Sequence, residues 1–162
     1  MKAQWLIAMR KAAFYDRDGT INVDIGYLHE SDKLVFISGV PELIRFYNDA
    51  NYLVIVITNQ SGIGRGIYDQ ETMQNLNSTM NERLQLEYGA HIDAFYFCPH
   101  LPEDNCKCRK PKPGLFFQAI KNYDIDSSAS ISYGDSFRDK VASESASIGE
   151  FRYIKDFIAS TA

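Results

Sequence analysis

Residues 98–114, CPHLPEDNCKCRKPKPG, hold all three cysteines of the chain, one of its three histidines and four of its seventeen Lys/Arg residues. Cys98, His100, Cys106 and Cys108 stand at C-x-H-x5-C-x-C spacing. Four soft or borderline ligands this close suit a closed tetrahedral zinc site of the structural kind. An odd cysteine count excludes a complete intramolecular disulfide framework, and crowding beside a histidine points to metal binding in a reducing compartment. The plainer alternative is three incidental thiols on a loop. Lys107, Arg109 and Lys110 lie among the thiols, where positive charge favours thiolates, and Pro111 and Pro113 stiffen the end of the loop. Cations on a stiff, metal-fixed loop are preorganised for a polyanionic ligand.

Three more constellations carry chemistry. In FYDRDGT (14–20), Asp16 and Asp18 are two apart at a predicted strand end, so their side chains can point the same way. Two close carboxylates repel, and a cation relieves them; hard oxygen ligands of this kind suit Mg²⁺. By itself the pair fits an ordinary polar turn equally well. In ITNQSGIGRG (57–66), Thr58 and Asn59 precede a glycine-rich turn whose backbone N–H groups and small hydroxyls suit phosphate oxygens, with Arg65 as a charged donor. Glycine-rich turns are common, so this signal alone is weak. In YGDSFRD (133–139), Asp135 follows a strand and Asp139 comes four residues later; in isolation Asp135 would pass for a helix N-cap.

These residues need a frame. The 162 residues suit one domain over 1–162 and bury a core without staples. No repeat, low-complexity tract or linker interrupts them. AAFYD (12–16), YLVIVITN (52–59), DAFYFC (93–98) and ASISYGD (129–135) are predicted strands, the second apolar throughout as in a parallel sheet. PELIRFYNDA (41–50), residues 69–88 with Met73, Leu76, Met80 and Leu84 on one face, and GLFFQAIKNY (114–123) are predicted helices. Alternation predicts an α/β fold: a three-layer, doubly wound, Rossmann-like and mostly parallel sheet. In such sheets ligands sit beyond the carboxyl ends of the strands, where Asp16, Thr58, Cys98 and Asp135 fall. A net charge of -4 disfavours nucleic acid or an anionic membrane as partner. MKAQWLIAMRKAAF (1–14) lacks a signal-peptide design and no apolar run spans a membrane, so a cytoplasmic protein is expected. No heptad or long apolar edge stands out, and a monomer is expected.

Together and in this order, the motifs resemble the haloacid dehalogenase superfamily of phosphatases, from about residue 12 to about 150. DRDGT is similar to its first motif, Thr58 to the second, Lys110 to the third and GDSFRD to the fourth. CPHLPEDNCKCRKPKPG resembles the zinc-loop branch, which contains D-glycero-D-manno-heptose 1,7-bisphosphate phosphatases and histidinol-phosphate phosphatases. DRDGTINVDIGYLH (16–29) and TNQSGIGRG (58–66) resemble the former, the short zinc loop the latter; the stretches nearest the nucleophile, with Asn22, Tyr27 and Arg65, favour the heptose enzymes. Two positions depart from the pattern: Ser136 stands where both subfamilies usually carry a basic residue, leaving Arg138 or Lys110 to supply that charge, and Tyr15 replaces the usual leucine.

The resemblance implies a bacterial, cytoplasmic enzyme of heptose biosynthesis that removes the 7-phosphate of the bisphosphate. Asp16 would form an aspartyl phosphate and Asp18 would serve as acid, then base. Thr58 and Lys110 would bind the transferring phosphoryl group. Mg²⁺ would rest on the Asp16 and Asp135 carboxylates and the Asp18 carbonyl, with Asp139 supporting from behind. Asn22, Asn59, Arg65 and Arg109 are the expected substrate contacts, Arg65 and Arg109 reaching the second phosphate. The 41 residues of interval 17–57 leave no room for a cap domain, so an open site walled mainly by the zinc loop is expected. Two alternatives stand: a zinc-stabilised binding module without catalysis, and a nucleic-acid 3′-phosphatase of the same superfamily, which the acidic balance and the lack of an aromatic–basic stripe oppose.

Overall fold

A computed structural model describes residues 8–162; the first half of MKAQWLIAMRKAAF, residues 1–7, where a signal peptide is not expected, lies outside them. The chain runs β1 (Ala12–Tyr15), α1 (Val40–Asp49), β2 (Leu53–Asn59), α2 (Ser61–Gly64), α3 (Gln70–Tyr88), β3 (Ala94–Cys98), α4 (Gly114–Tyr123), β4 (Ile131–Gly134), α5 (Phe137–Ser145), β5 (Glu150–Tyr153) and α6 (Ile154–Thr161). The five strands form one sheet in the order β3-β2-β1-β4-β5, with every neighbouring pair parallel. The chain steps outward from β1 to β3, then returns to β1's other side with β4. That reversal makes the carboxyl end of β1 the switch point, where a crevice opens for ligand.

The side-chain period of two divides the strands between two cores. Ala13, Tyr15, Val54 and Val56 face α1, α3 and α6, whose Leu43, Ile44, Leu76, Met80, Leu84 and Ile154 are buried there. Ala12, Phe14, Leu53, Ile55 and Ile57 face α4 and α5 through Leu115, Phe116, Ala119 and Ala142. The result is the expected three-layer α/β architecture. Tyr15 stacks on Tyr133 at 5.2 Å between ring centroids, and the Tyr133 hydroxyl meets that of Tyr47 at 2.8 Å. A ring in place of leucine thus completes an aromatic cluster under the site.

Four predicted strands and three predicted helices are present, each within two residues of the expected bounds. In α3, Asp69 caps the start by accepting from the Thr72 N–H at 2.7 Å, and Gly89, at φ 65°, closes the end. The glycine-rich stretch after β2 is a helical turn, α2, rather than an irregular loop. A Cβ on Gly62 would lie 2.2 Å from the Tyr68 ring, so the glycine is needed for close approach. β5 and α6 carry no clear sequence signal. EFRY is four residues of half-exposed edge strand, too short for a period to show. Between Asp16 and β2 the chain holds a loop, a 3-10 turn at Ser31–Lys33 and α1, with no inserted domain. Among the described residues no helix is long and apolar enough to cross a membrane.

Candidate active site and metal centres

Asp16 leaves β1 with its N–H on the Tyr133 carbonyl of β4, at 3.0 Å. The chain then turns, and Gly19 takes φ 84°; a Cβ there would fall 2.2 Å from Asp135 Oδ2. Glycine therefore serves both the left-handed turn and the close approach of the loop after β4. Carboxylate oxygens of Asp16, Asp135 and Asp139 come within 4.8 Å of one another. Lys110, 3% exposed, reaches in from the zinc loop: its Nζ donates to Asp16 Oδ1 at 2.8 Å and Ile57 O at 2.6 Å and pairs with Asp139 Oδ1 at 2.7 Å. All three ammonium donors therefore face protein oxygens, and Lys110 offsets one of the acids' charges as well as lining the cleft.

Three carboxylates against one ammonium leave two negative charges in excess. Burial pushes the Asp16 carboxyl up to about 7, with Asp139 and Asp135 adding to the rise and Lys110 opposing it. Burial and Asp139 also raise Asp135. Burial works against the charged form of Asp139 too, but Lys110 and the Ser136 donors outweigh it and hold this group low. A divalent cation on hard oxygens would offset the surplus, so the donor set fits Mg²⁺. Asp139 Oδ2 accepts from the Asp135 and Ser136 N–H groups, each at 3.1 Å, and the Ser136 hydroxyl at 2.9 Å. With its other oxygen on Lys110, Asp139 holds the loop after β4 in shape.

Ser136 caps α5, in a box closed by Asp139. The alternative of Asp135 as the N-cap is thereby corrected. The buried cation beside the acids is Lys110; Arg138 is exposed at the cleft rim.

Asp18 faces the same cleft. It accepts from Arg17 Nε at 3.2 Å and Nη2 at 3.1 Å, from Gln60 Nε2 at 2.9 Å and from Asn22 Nδ2 at 3.0 Å. Thr58, near the end of β2, accepts from Gln60 at 2.8 Å. Sequence reasoning assigned no role to Arg17, Gln60 or Tyr68. Arg17 had a legible signal: a guanidinium between two acids has a carboxylate within reach, and here it is fully buried and paired with Asp18.

Of the expected substrate contacts, only Arg109 offers a charged side chain to the cleft. Asn22 is fully buried on Asp18. Asn59 is engaged with the Lys110 backbone, donating to its carbonyl at 3.1 Å and accepting from its N–H at 3.0 Å, so it pins the third motif to the sheet. Arg65 is exposed outside the cleft lining, 6.0 Å from the Tyr27 ring centre. Asn59 also lines the cleft, whereas Asn22 lies behind Asp18 outside the lining. The cleft, about 310 Å³, is walled by Arg109 and Arg138 on one side and by Asp24, Gly26, Tyr27 and Tyr68 on another. The 24–27 loop is therefore a second wall beside the zinc loop.

Cys98 ends β3, opposite Asn59. Its Sγ lies 3.0 Å from Cys108 Sγ, 3.5 Å from Cys106 Sγ and 3.5 Å from His100 Nδ1; His100 Nδ1 lies 3.2 Å from Cys108 Sγ. Four donors converge as a tetrahedral ion requires. Burial and its thiol neighbours push Cys98 up, and burial with Cys106 pushes Cys108 up, so three thiolates need a cation among them, and zinc fits. Because Arg109 and Lys110 follow Cys108 directly, a zinc ion here would hold both, and its removal should lower the melting temperature and reduce kcat/KM by about 10²-fold, the effect of misplacing a binding group by an ångström. Calorimetry and kinetics after chelation, with metal loss verified by elemental analysis, check this; unchanged melting and KM would refute it.

A family described as polynucleotide kinase 3 phosphatase matches residues 11–152. A D-glycero-beta-D-manno-heptose-1,7-bisphosphate 7-phosphatase of Haemophilus ducreyi is 43% identical over 145 residues, covering 86% of this chain and 80% of the relative. One of Helicobacter pylori strain J99 is 41% identical over 143 residues, covering 88% and 82%. The crystal structure of a D,D-heptose 1,7-bisphosphate phosphatase from B. bronchiseptica, complexed with magnesium and phosphate, superposes with a TM-score of 0.80 at 34% identity, over 86% of this chain and 78% of that one.

Proposed function

The chain belongs to the polynucleotide kinase 3 phosphatase family, with a haloacid dehalogenase-like fold, and within it we propose a phosphomonoesterase that removes the 7-phosphate of D-glycero-D-manno-heptose 1,7-bisphosphate. The observation that carries this is the meeting of Asp16, Asp18, Thr58, Lys110 and Asp135 around one cleft at the sheet's switch point. The β anomer, named for the relatives from H. ducreyi and H. pylori, is the proposed substrate form.

The Asp16 carboxylate attacks phosphorus as the bond to the sugar oxygen breaks, and the Asp18 carboxyl gives that oxygen its proton. Asp18 then takes a proton from a water that attacks the aspartyl phosphate, freeing phosphate and restoring Asp16. The Thr58 hydroxyl faces the phosphoryl oxygens and Lys110 balances the charge on Asp16. Mg²⁺ held by Asp16, Asp135 and the Asp18 carbonyl, with Asp139 behind, would supply positive charge against the incoming phosphate. Zinc on Cys98, His100, Cys106 and Cys108 would fix the loop carrying Arg109 and Lys110. Arg109, with Arg138 on the same wall, would meet the remote phosphate. The protein is taken to act in the cytoplasm as a monomer, one domain over 1–162.

The short zinc loop favours histidinol phosphate as a second reading. Phosphate release with Mg²⁺ from both heptose bisphosphate anomers, histidinol phosphate and a 3′-phosphorylated oligonucleotide separates the cases. The β anomer should lead by about a hundredfold in kcat/KM, or ~2.7 kcal/mol of discrimination. A lead for histidinol phosphate or the oligonucleotide would overturn the reading.

A further inference from the structure

Gln60 makes four hydrogen bonds, and its amide has no capacity left. Nε2 donates to Asp18 Oδ2 at 2.9 Å and to Thr58 Oγ1 at 2.8 Å. Oε1 accepts from Arg17 Nη2 at 3.0 Å and from the Tyr68 hydroxyl at 2.5 Å. The orientation is dictated by its neighbours: a guanidinium can only donate and a carboxylate can only accept, so a flipped amide would set like against like at both ends. Arg17 is itself immobilised, fully buried, with Nη1 on Asn77 Oδ1 at 3.0 Å. At 2% exposure, Gln60 is sealed from solvent, where such a network holds its geometry firmly.

The geometry points to Gln60 as a positioning residue that couples the acid–base group to the phosphoryl-binding hydroxyl, an inference resting on the roles proposed above for Asp18 and Thr58. Gln60 bridges the two directly, with one N–H on each. Because Thr58 Oγ1 already accepts from Gln60, its own proton is free to turn toward a phosphoryl oxygen. Because the second N–H holds Asp18 Oδ2, the carboxyl stays aimed at the leaving oxygen. Gln60 touches no substrate in this scheme; its donors and acceptors are all spent on protein. Arg17 and Tyr68 act one step further out, by fixing Gln60.

The test uses leaving groups. A sugar oxygen must be protonated as it departs, whereas p-nitrophenolate leaves without a proton, so a fault in aiming Asp18 damages the first substrate and spares the second. Gln60→Leu keeps the volume and removes the bonds. It should cut kcat on the heptose bisphosphate by about 10²-fold, while the initial burst of p-nitrophenolate from p-nitrophenyl phosphate, which feels only the loosened Thr58 hydroxyl, slows by about tenfold or less. Tyr68→Phe, which removes a single bond to Oε1 and is the gentler change for folding, should show the same selectivity at about three- to tenfold. Selective loss in either folded variant supports the inference; equal losses on both substrates, or none, in both variants overturn it. Asp18→Asn run in parallel separates the two layers. If that variant keeps full rate on the sugar ester, the acid–base role of Asp18 falls; if it loses the sugar ester alone while the Gln60 and Tyr68 variants show no selectivity, only the positioning role falls.

Discussion

Asp16→Asn is expected to abolish phosphate release, with kcat reduced by about 10⁴-fold or more, while the folded protein keeps its stability. An amide of the same shape cannot form the bond to phosphorus, and removing a covalent nucleophile has effects of this order. Stability follows a different logic. Burial and the Asp135 and Asp139 carboxylates raise Asp16 to about 7 from an ordinary value of 3.8, against the pull of Lys110. A raised acid favours the folded state only while protonated, so in metal-free protein this contribution is lost as pH climbs from about 4 through about 7. The difference in melting temperature, variant minus wild type, should therefore grow in the variant's favour between pH 4 and pH 8. Kinetics and melting on the same preparations check both halves. A binding module would keep its function after this change; residual turnover above about 1% of wild type would remove Asp16 from the nucleophile's role.

Lys110→Met should cost about 3–5 kcal/mol of stability, because removing one partner of a buried ion pair strands the other. Here two carboxylates are stranded, Asp16 and Asp139, since Lys110 contacts both from a site 3% exposed. Activity should fall by about 10²–10³-fold, as when a preorganised positive charge beside the reacting groups is removed. Lys110→Arg should not rescue it: a planar fork cannot replace three N–H vectors that end on Asp16, Asp139 and the Ile57 carbonyl. Pairing Lys110→Met with Asp16→Asn should recover part of the stability, because one stranded charge disappears, and urea melts of the four proteins give the coupling directly. Full additivity would mean that the lysine and the aspartate do not interact in solution.

Much of this site is legible in the sequence. Asp16, Thr58 and Asp135 follow or close strands whose apolar, β-branched runs announce themselves, and the carboxyl ends of a parallel sheet share one edge. The cluster of Cys98, His100, Cys106 and Cys108 is legible because soft ligands rarely gather by accident. β5 and α6 escape because a four-residue edge strand has half its surface in water and so carries little apolar signal.

Sequence alone thus determined most of the element types, the parallel sheet and which acids, hydroxyl and thiols gather at its carboxyl edge, since these follow from periodicity and from what each side chain can donate, accept or ligate. Tertiary structure decided who touches whom. It set Asn22 on Asp18 and Asn59 on the Lys110 backbone, spent every donor of Lys110 on protein oxygens, and made Gln60 the bridge between Asp18 and Thr58. Such pairings join residues as many as 94 positions apart. They depend on the handedness and order of the crossovers, a global property that no local spacing encodes.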